Sequence, residues 1–114
     1  MELELSTEDK KQINQWCEAL ESGKYKQTRH RLQESKGYCC LGVACELFGE
    51  NLKRDKDGYL VGKKPFDQRN EKATIPDWLV RINYASSIYS LTCYNDIQKL
   101  SFKEIAKKIR KQFL

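Results

Sequence analysis

The sequence predicts an α+β fold in one small domain spanning residues 1–114, with four or five helices and a short antiparallel β-hairpin. Three observations carry that prediction. Amphipathic segments near both ends each open on a serine followed three residues later by a carboxylate, Ser6 with Asp9 and Ser101 with Glu104, the arrangement that caps helix N-termini. Tyr25, Gln27, Thr28 and Leu32 favour an extended strand, and Glu34-Ser35-Lys36-Gly37 favours a turn back into Tyr38 and Cys39. Between these signals lies Cys40 to Phe48, apolar around most of a helical circumference, as a buried helix requires.

Taken in order, the first helix covers Thr7 to Glu21. Ile13, Trp16, Cys17 and Leu20 recur at helical spacing, and Gly23 ends it. The 40–48 helix leaves Gly42, Glu46 and Cys45 for its outer side and stops at Gly49. The polar stretch 51–70 contains an Asp57-Gly58 turn and a short extended run at Tyr59-Leu60-Val61, and reads as a flexible loop. Pro76 suits the first position of a helix reaching about Ile82. Residues 86–100 mix helical spacing at Ile88 and Leu91 with strand-forming Tyr and Thr, and are read as helix. The last helix places Phe102, Ile105, Ala106, Ile109 and Phe113 on one face.

The chain has 114 residues, 39% hydrophobic and 32% charged, which suits a single core and leaves no room for a second. Two Trp, six Tyr and four Phe supply the burial that a disordered chain lacks. There is no apolar run of about 18 residues to cross a bilayer. The Met1-Glu-Leu-Glu-Leu start is acidic where an export signal is basic. A soluble protein of the compartment that made it, the cytoplasm, is therefore expected, with no membrane partner. The net charge of +5 is mildly basic.

Five cysteines, Cys17, Cys39, Cys40, Cys45 and Cys93, are expected to be reduced. They admit three readings. As small hydrophobes they fill the core, Cys17 most plainly. As ligands, His30, Cys39, Cys40 and Cys45 make a zinc set, because a hairpin turning near Ser35 puts His30 across from Cys39 or Cys40, and zinc accepts imidazole and thiolate together. As a nucleophile, Cys40 at a helix start has its thiolate favoured by the helix dipole, with His30 as base; no residue presents itself as an orienting group or oxyanion donor.

Asp55-Lys56-Asp57-Gly58 imitates a calcium loop, but Lys53 and Lys64 fall where oxygen ligands are needed. Ser101 to Ile109 resembles the first helix of a helix-turn-helix, but the five residues after it are too few for a recognition helix, and that reading fails on length. Two basic groups are candidates for partner binding: Lys24, Lys26, Arg29 and Arg31 on the hairpin, and Lys103, Lys107, Arg110 and Lys111 on the last helix. They suit nucleic acid or an acidic protein surface.

Trp16 with Ala19-Leu20, Ser22-Gly23-Lys24-Tyr25-Lys26-Gln27, Tyr38-Cys39-Cys40-Leu41-Gly42-Val43 with Cys45, and Asn95-Asp96 before Ser101-Phe102 and Glu104-Ile105-Ala106 together resemble a small protein family of bacteriophages and prophages. The Tyr-Cys-Cys-Leu-Gly-Val core is the specific part, and the chain departs from the pattern at Cys17 and at Tyr94, where leucine is usual. The resemblance implies a setting more than a chemistry. Small phage proteins of this kind often antagonise host defence, and the chain is similar in size to anti-CRISPR proteins, some of which act on Cas9. A non-enzymatic inhibitor of Cas9 working through protein contacts is the implied function, with a nucleic-acid-binding regulator and a cysteine enzyme as alternatives.

Overall fold

The structure is a computed structural model and describes residues 4–29, 31–34, 37–62, 68, 72–85, 95 and 98–114, the side chains of 83–85 excepted. It is α+β, a single small domain. Four helices are present among the described residues: α1 (Thr7–Glu21), α2 (Cys40–Phe48), α3 (Asp77–Ala85) and α4 (Phe102–Phe113). Three two-residue strands, β1 (Lys26–Gln27), β2 (Gln33–Glu34) and β3 (Gly37–Tyr38), form a sheet in the order β1-β3-β2. The expected helix over 86–100 lies largely outside the described residues.

Local chemistry sets the helix ends. Ser6 accepts from Asp9 N at 3.0 Å while Asp9 Oδ2 accepts from Ser6 N at 3.1 Å, and Ser101 and Glu104 repeat the exchange on α4. Both expected capping boxes are therefore formed. At the far end of α1, Gly23 takes φ +79°, a left-handed turn that a side chain would strain. The expected apolar faces of α1 and α4 are buried, with Phe113 packed at the edge, and they pack on each other. Trp16 is the largest fully buried side chain and lies 5.7 Å from Trp78 of α3, which also meets Phe48 edge-on at 5.8 Å. Antiparallel bonding of Glu50 with Thr74 ties the start of α3 to the end of α2.

Two expectations change. The hairpin is shorter than a strand from Tyr25 to Leu32 implies: β2 and β3 pair antiparallel (Gln33 with Tyr38, Glu34 with Gly37), while β1 joins the other side of β3 in parallel (Lys26 with Gly37). The register carries Leu32, not His30, across from Cys39, whose N–H donates to Leu32 O at 3.2 Å; His30 itself lies outside the described residues.

The second change concerns α2. Gly42 and Cys45, expected on its outer side, are buried, whereas Leu47 is 40% exposed. The reason is steric. A Cβ on Gly42 would stand 1.9 Å from Leu32 O, so α2 lies directly against the backbone of the residue preceding β2, an approach only glycine permits.

The stretch 51–70, read from sequence as a flexible loop, makes the following bonds in its described residues, 51–62 and 68. Leu60 is buried and its N–H donates to Gln33 Oε1 at 2.9 Å; Leu32 N donates to Gly62 O at 2.9 Å. Buried Gln68 accepts from Lys53 N and donates to Val61 O. Arg54 pairs with Glu46 at 3.0 Å and donates to Gly58 O. The Asp57-Gly58 turn is formed, closed by Asp55 Oδ1 accepting from Asp57 N and Tyr59 N.

Candidate functional site

The cysteine-rich start of α2 is the most elaborated part of the core. Cys39 is the N-cap, its backbone extended and its Sγ accepting from Gly42 N at 3.3 Å, so the thiol takes the place of the serine or aspartate oxygen usual there. Cys40 N donates to Asn95 Oδ1 at 3.3 Å, and Cys40 O accepts from Trp16 Nε1 at 2.9 Å. Asn95 is fully buried and acts as a hub: its Nδ2 donates to Thr28 O at 2.9 Å, and its Oδ1 also accepts from Gln27 Nε2, which donates in turn to Leu100 O. One side chain thereby joins β1, the residue following β1, the start of α2 and the residues leading into α4.

These bonds are largely withdrawn from water, where an unmet polar group costs about 1–3 kcal/mol. They give the residues of the resemblance a common physical role. Trp16, Gln27, Cys39, Cys40, Gly42 and Asn95 are the parts by which α2 is seated on α1 and the sheet.

Burial dominates the surroundings of the described thiols. Burial pushes the Cys17 thiol up from its ordinary 9.0 to about 12, with Glu21 and Glu18 adding to the rise and Arg110 opposing it. Cys45 is raised too, chiefly by burial and then by Cys39 and Glu46. Cys40, the expected nucleophile, is 0% exposed. A thiol held protonated is a weak nucleophile. The shifts imply a pH dependence: a raised folded-state pKa gives a contribution present below the unfolded value and lost as pH climbs through the folded one. Stability is therefore expected to fall between about pH 9 and 12, and Cys17→Ala is expected to flatten that fall in denaturation curves taken across the range.

Of the zinc set His30, Cys39, Cys40 and Cys45, the structure describes the three cysteines. Among the described residues no group of three or more His, Cys, Asp or Glu side chains gathers as a metal would need. A zinc ion would have to draw on residues outside them, such as His30 or Cys93. Substitution separates the two roles of Cys39. As a cap, Cys39→Ser is expected to hold the melting temperature while Cys39→Ala loses about 1 kcal/mol; as a zinc ligand, both lose the metal and several degrees.

The basic groups are rearranged relative to the sequence expectation. Arg110 turns onto α1, pairing with Glu21 at 2.7 Å and donating to Asn14 Oδ1, so it fastens two helices. Lys24 borders an open hollow of about 350 Å³ with Tyr25 and Leu47, and Arg31 another of about 280 Å³ with Gln33 and Asp55. Arg29 reaches the other way, its Nη2 3.5 Å from Lys99 O at the foot of α4. Lys103, Lys107 and Lys111 are exposed along α4.

A family described as Domain of unknown function (DUF8296) matches residues 9–86, about two thirds of the chain. The chain belongs to the DUF8296 family. The match runs from α1 through the cysteine-rich segment to the end of α3, and so takes in most of the scaffold described above. Asn95 and α4, which complete that scaffold, follow the matched DUF8296 region. No curated protein matches the chain, and no solved structure does. No helix among the described residues is long and apolar enough to cross a membrane.

Proposed function

We propose that this DUF8296 protein is a non-enzymatic binding protein that antagonises a host defence system in the bacterial cytoplasm. The observation that supports the reading is the use made of the residues best equipped for chemistry. Cys39 is spent as a helix cap, Cys40 has both backbone groups bound in the core, and the Cys17 and Cys45 thiols are held protonated by burial. Such a chain acts through its surface. The phage setting, and Cas9 as the first partner to test, rest on the resemblance of the Tyr38-to-Val43 segment and its companions.

The test is plasmid interference in cells carrying an active Cas9, with and without the protein. Restored transformation of a targeted plasmid, together with one-to-one co-purification with Cas9, is the expected result; full interference and no co-purification remove Cas9 as the partner. Zinc is tested on protein purified without chelator or nickel resin. About one bound equivalent assigns the metal, and chelator-insensitive melting of metal-free protein removes it.

A further inference from the structure

We infer that α4, together with the Arg29 and Lys99 that meet at its N-terminal end, forms a single cationic face that binds the phosphate backbone of nucleic acid. The inference goes beyond the proposed antagonism and holds whichever host protein is bound. Its starting point is a juxtaposition: the sheet region and the last helix are brought together where Gln27 donates to Leu100 O at 2.8 Å and Arg29 approaches Lys99 O. Lys103, Lys107 and Lys111 continue from there at intervals of one helical turn, a line of roughly 12 Å at the usual rise per residue.

The charges on this line are only partly explained by stability: Lys111 stands in the last turn, where the helix dipole favours a cation, but the others do not. Lysines one turn apart repel, so Lys103 to Lys107 and Lys107 to Lys111 both work against the helix. Lys103 also stands in the first turn, where the helix dipole disfavours a cation. All three are exposed and have no ion-pair partner among the described residues. Arg29 is only lightly committed among the described residues: its buried Nε has no partner there, and its Nη2 makes a long 3.5 Å contact with Lys99 O.

Neighbouring carboxylates leave the excess in place. Glu21 is neutralised by Arg110; Glu18 and Glu104, bonded to the neutral Asn14 amide and Ser101 cap, keep their charges but are two against the five cations Arg29, Lys99, Lys103, Lys107 and Lys111.

Nucleic acid fits this face better than an acidic protein. Protein interfaces are anchored by buried aromatic and apolar groups and are poor in lysine, whereas a backbone contact needs a row of cations and little else. The exposed large hydrophobic residues among those described are Leu47, Val61 and Leu114; of these only Leu114 adjoins α4, just past its end.

The experiment is fluorescence anisotropy of the full chain with 20-nucleotide single-stranded DNA, single-stranded RNA and duplex DNA between 50 and 200 mM salt. With three or four phosphates engaged, affinity for a single strand is expected to fall about 15- to 50-fold over that range. K103Q/K107Q/K111Q is expected to weaken binding at 50 mM at least tenfold and to flatten the salt dependence. The charge-matched K10Q/K11Q/K56Q, also at exposed positions, is expected to change it less than threefold. Circular dichroism of both variants confirms that they fold. No binding of any probe at 50 mM overturns the inference, as does equal loss in the two variants. Competition by poly-glutamate as effective as that by nucleic acid of equal charge overturns it in favour of an acidic protein partner.

Discussion

Gly42→Ala is expected to lower the melting temperature by more than about 10 °C, through a loss of about 3 kcal/mol or more. Its added Cβ would sit 1.9 Å from Leu32 O and 2.8 Å from Leu32 C, atoms of a backbone with little freedom to retreat. Leu32 is held on both sides, its N–H donating to Gly62 O and its carbonyl accepting from Cys39 N. Relief therefore requires α2 to lift from the sheet, which disturbs the Cys39 cap and the Trp16 bond together. Gly58→Ala is the matched control: at φ +84° it costs backbone strain, but no atom lies within 4 Å of the new Cβ, so about 1 kcal/mol is expected. Thermal melts of the two variants check both figures, and near-equal losses would refute the close approach of α2 to Leu32.

Asn95→Leu is expected to cost a similar amount, about 3–5 kcal/mol, for an electrostatic reason. The substitution keeps volume but strands Cys40 N, Thr28 O and one of the two bonds of Gln27 Nε2 away from water, each at about 1–3 kcal/mol before relaxation. Asn95→Asp separates the bonds. Its carboxylate still accepts from Cys40 N and Gln27 Nε2 but cannot donate to Thr28 O, so it is expected to fall between wild type and Leu in chemical denaturation. If Asn95→Leu unfolds at the wild-type denaturant concentration, Asn95 is not the joint between the sheet, α2 and the lead-in to α4.

What the sequence reveals and what it hides follow one physical line. The ends and faces of α1 and α4 are legible because capping and periodicity are local: Ser6 with Asp9, Ser101 with Glu104, and apolar residues three or four apart. The sheet is less so. The β2-β3 pairing follows from neighbouring residues, but the parallel β1-β3 pairing joins residues 11 positions apart without a hairpin signal. Gly42 reads from sequence as an outward small residue because its reason, the Leu32 carbonyl, belongs to another element. Arg110 reads as one more surface cation because Glu21 is 89 residues away in the chain. Asn95 carries no local mark of its burial, and its place beside Asp96 in the family-like pattern is the one signal that points to it. The sequence admits the cysteines as core, ligand or nucleophile; for Cys39 it holds no hint of a capping role, since sulfur seldom fills it.

The sulfur-rich segment is framework. Site-resolved alkylation of the native protein, followed by mass spectrometry, measures this most directly. Cys17, Cys39, Cys40 and Cys45 are expected to label only as fast as the protein opens, and all at rates that rise together with denaturant. Labelling of Cys39 or Cys40 in native buffer at the rate of an exposed thiolate, with loss of a biological activity, would contradict it.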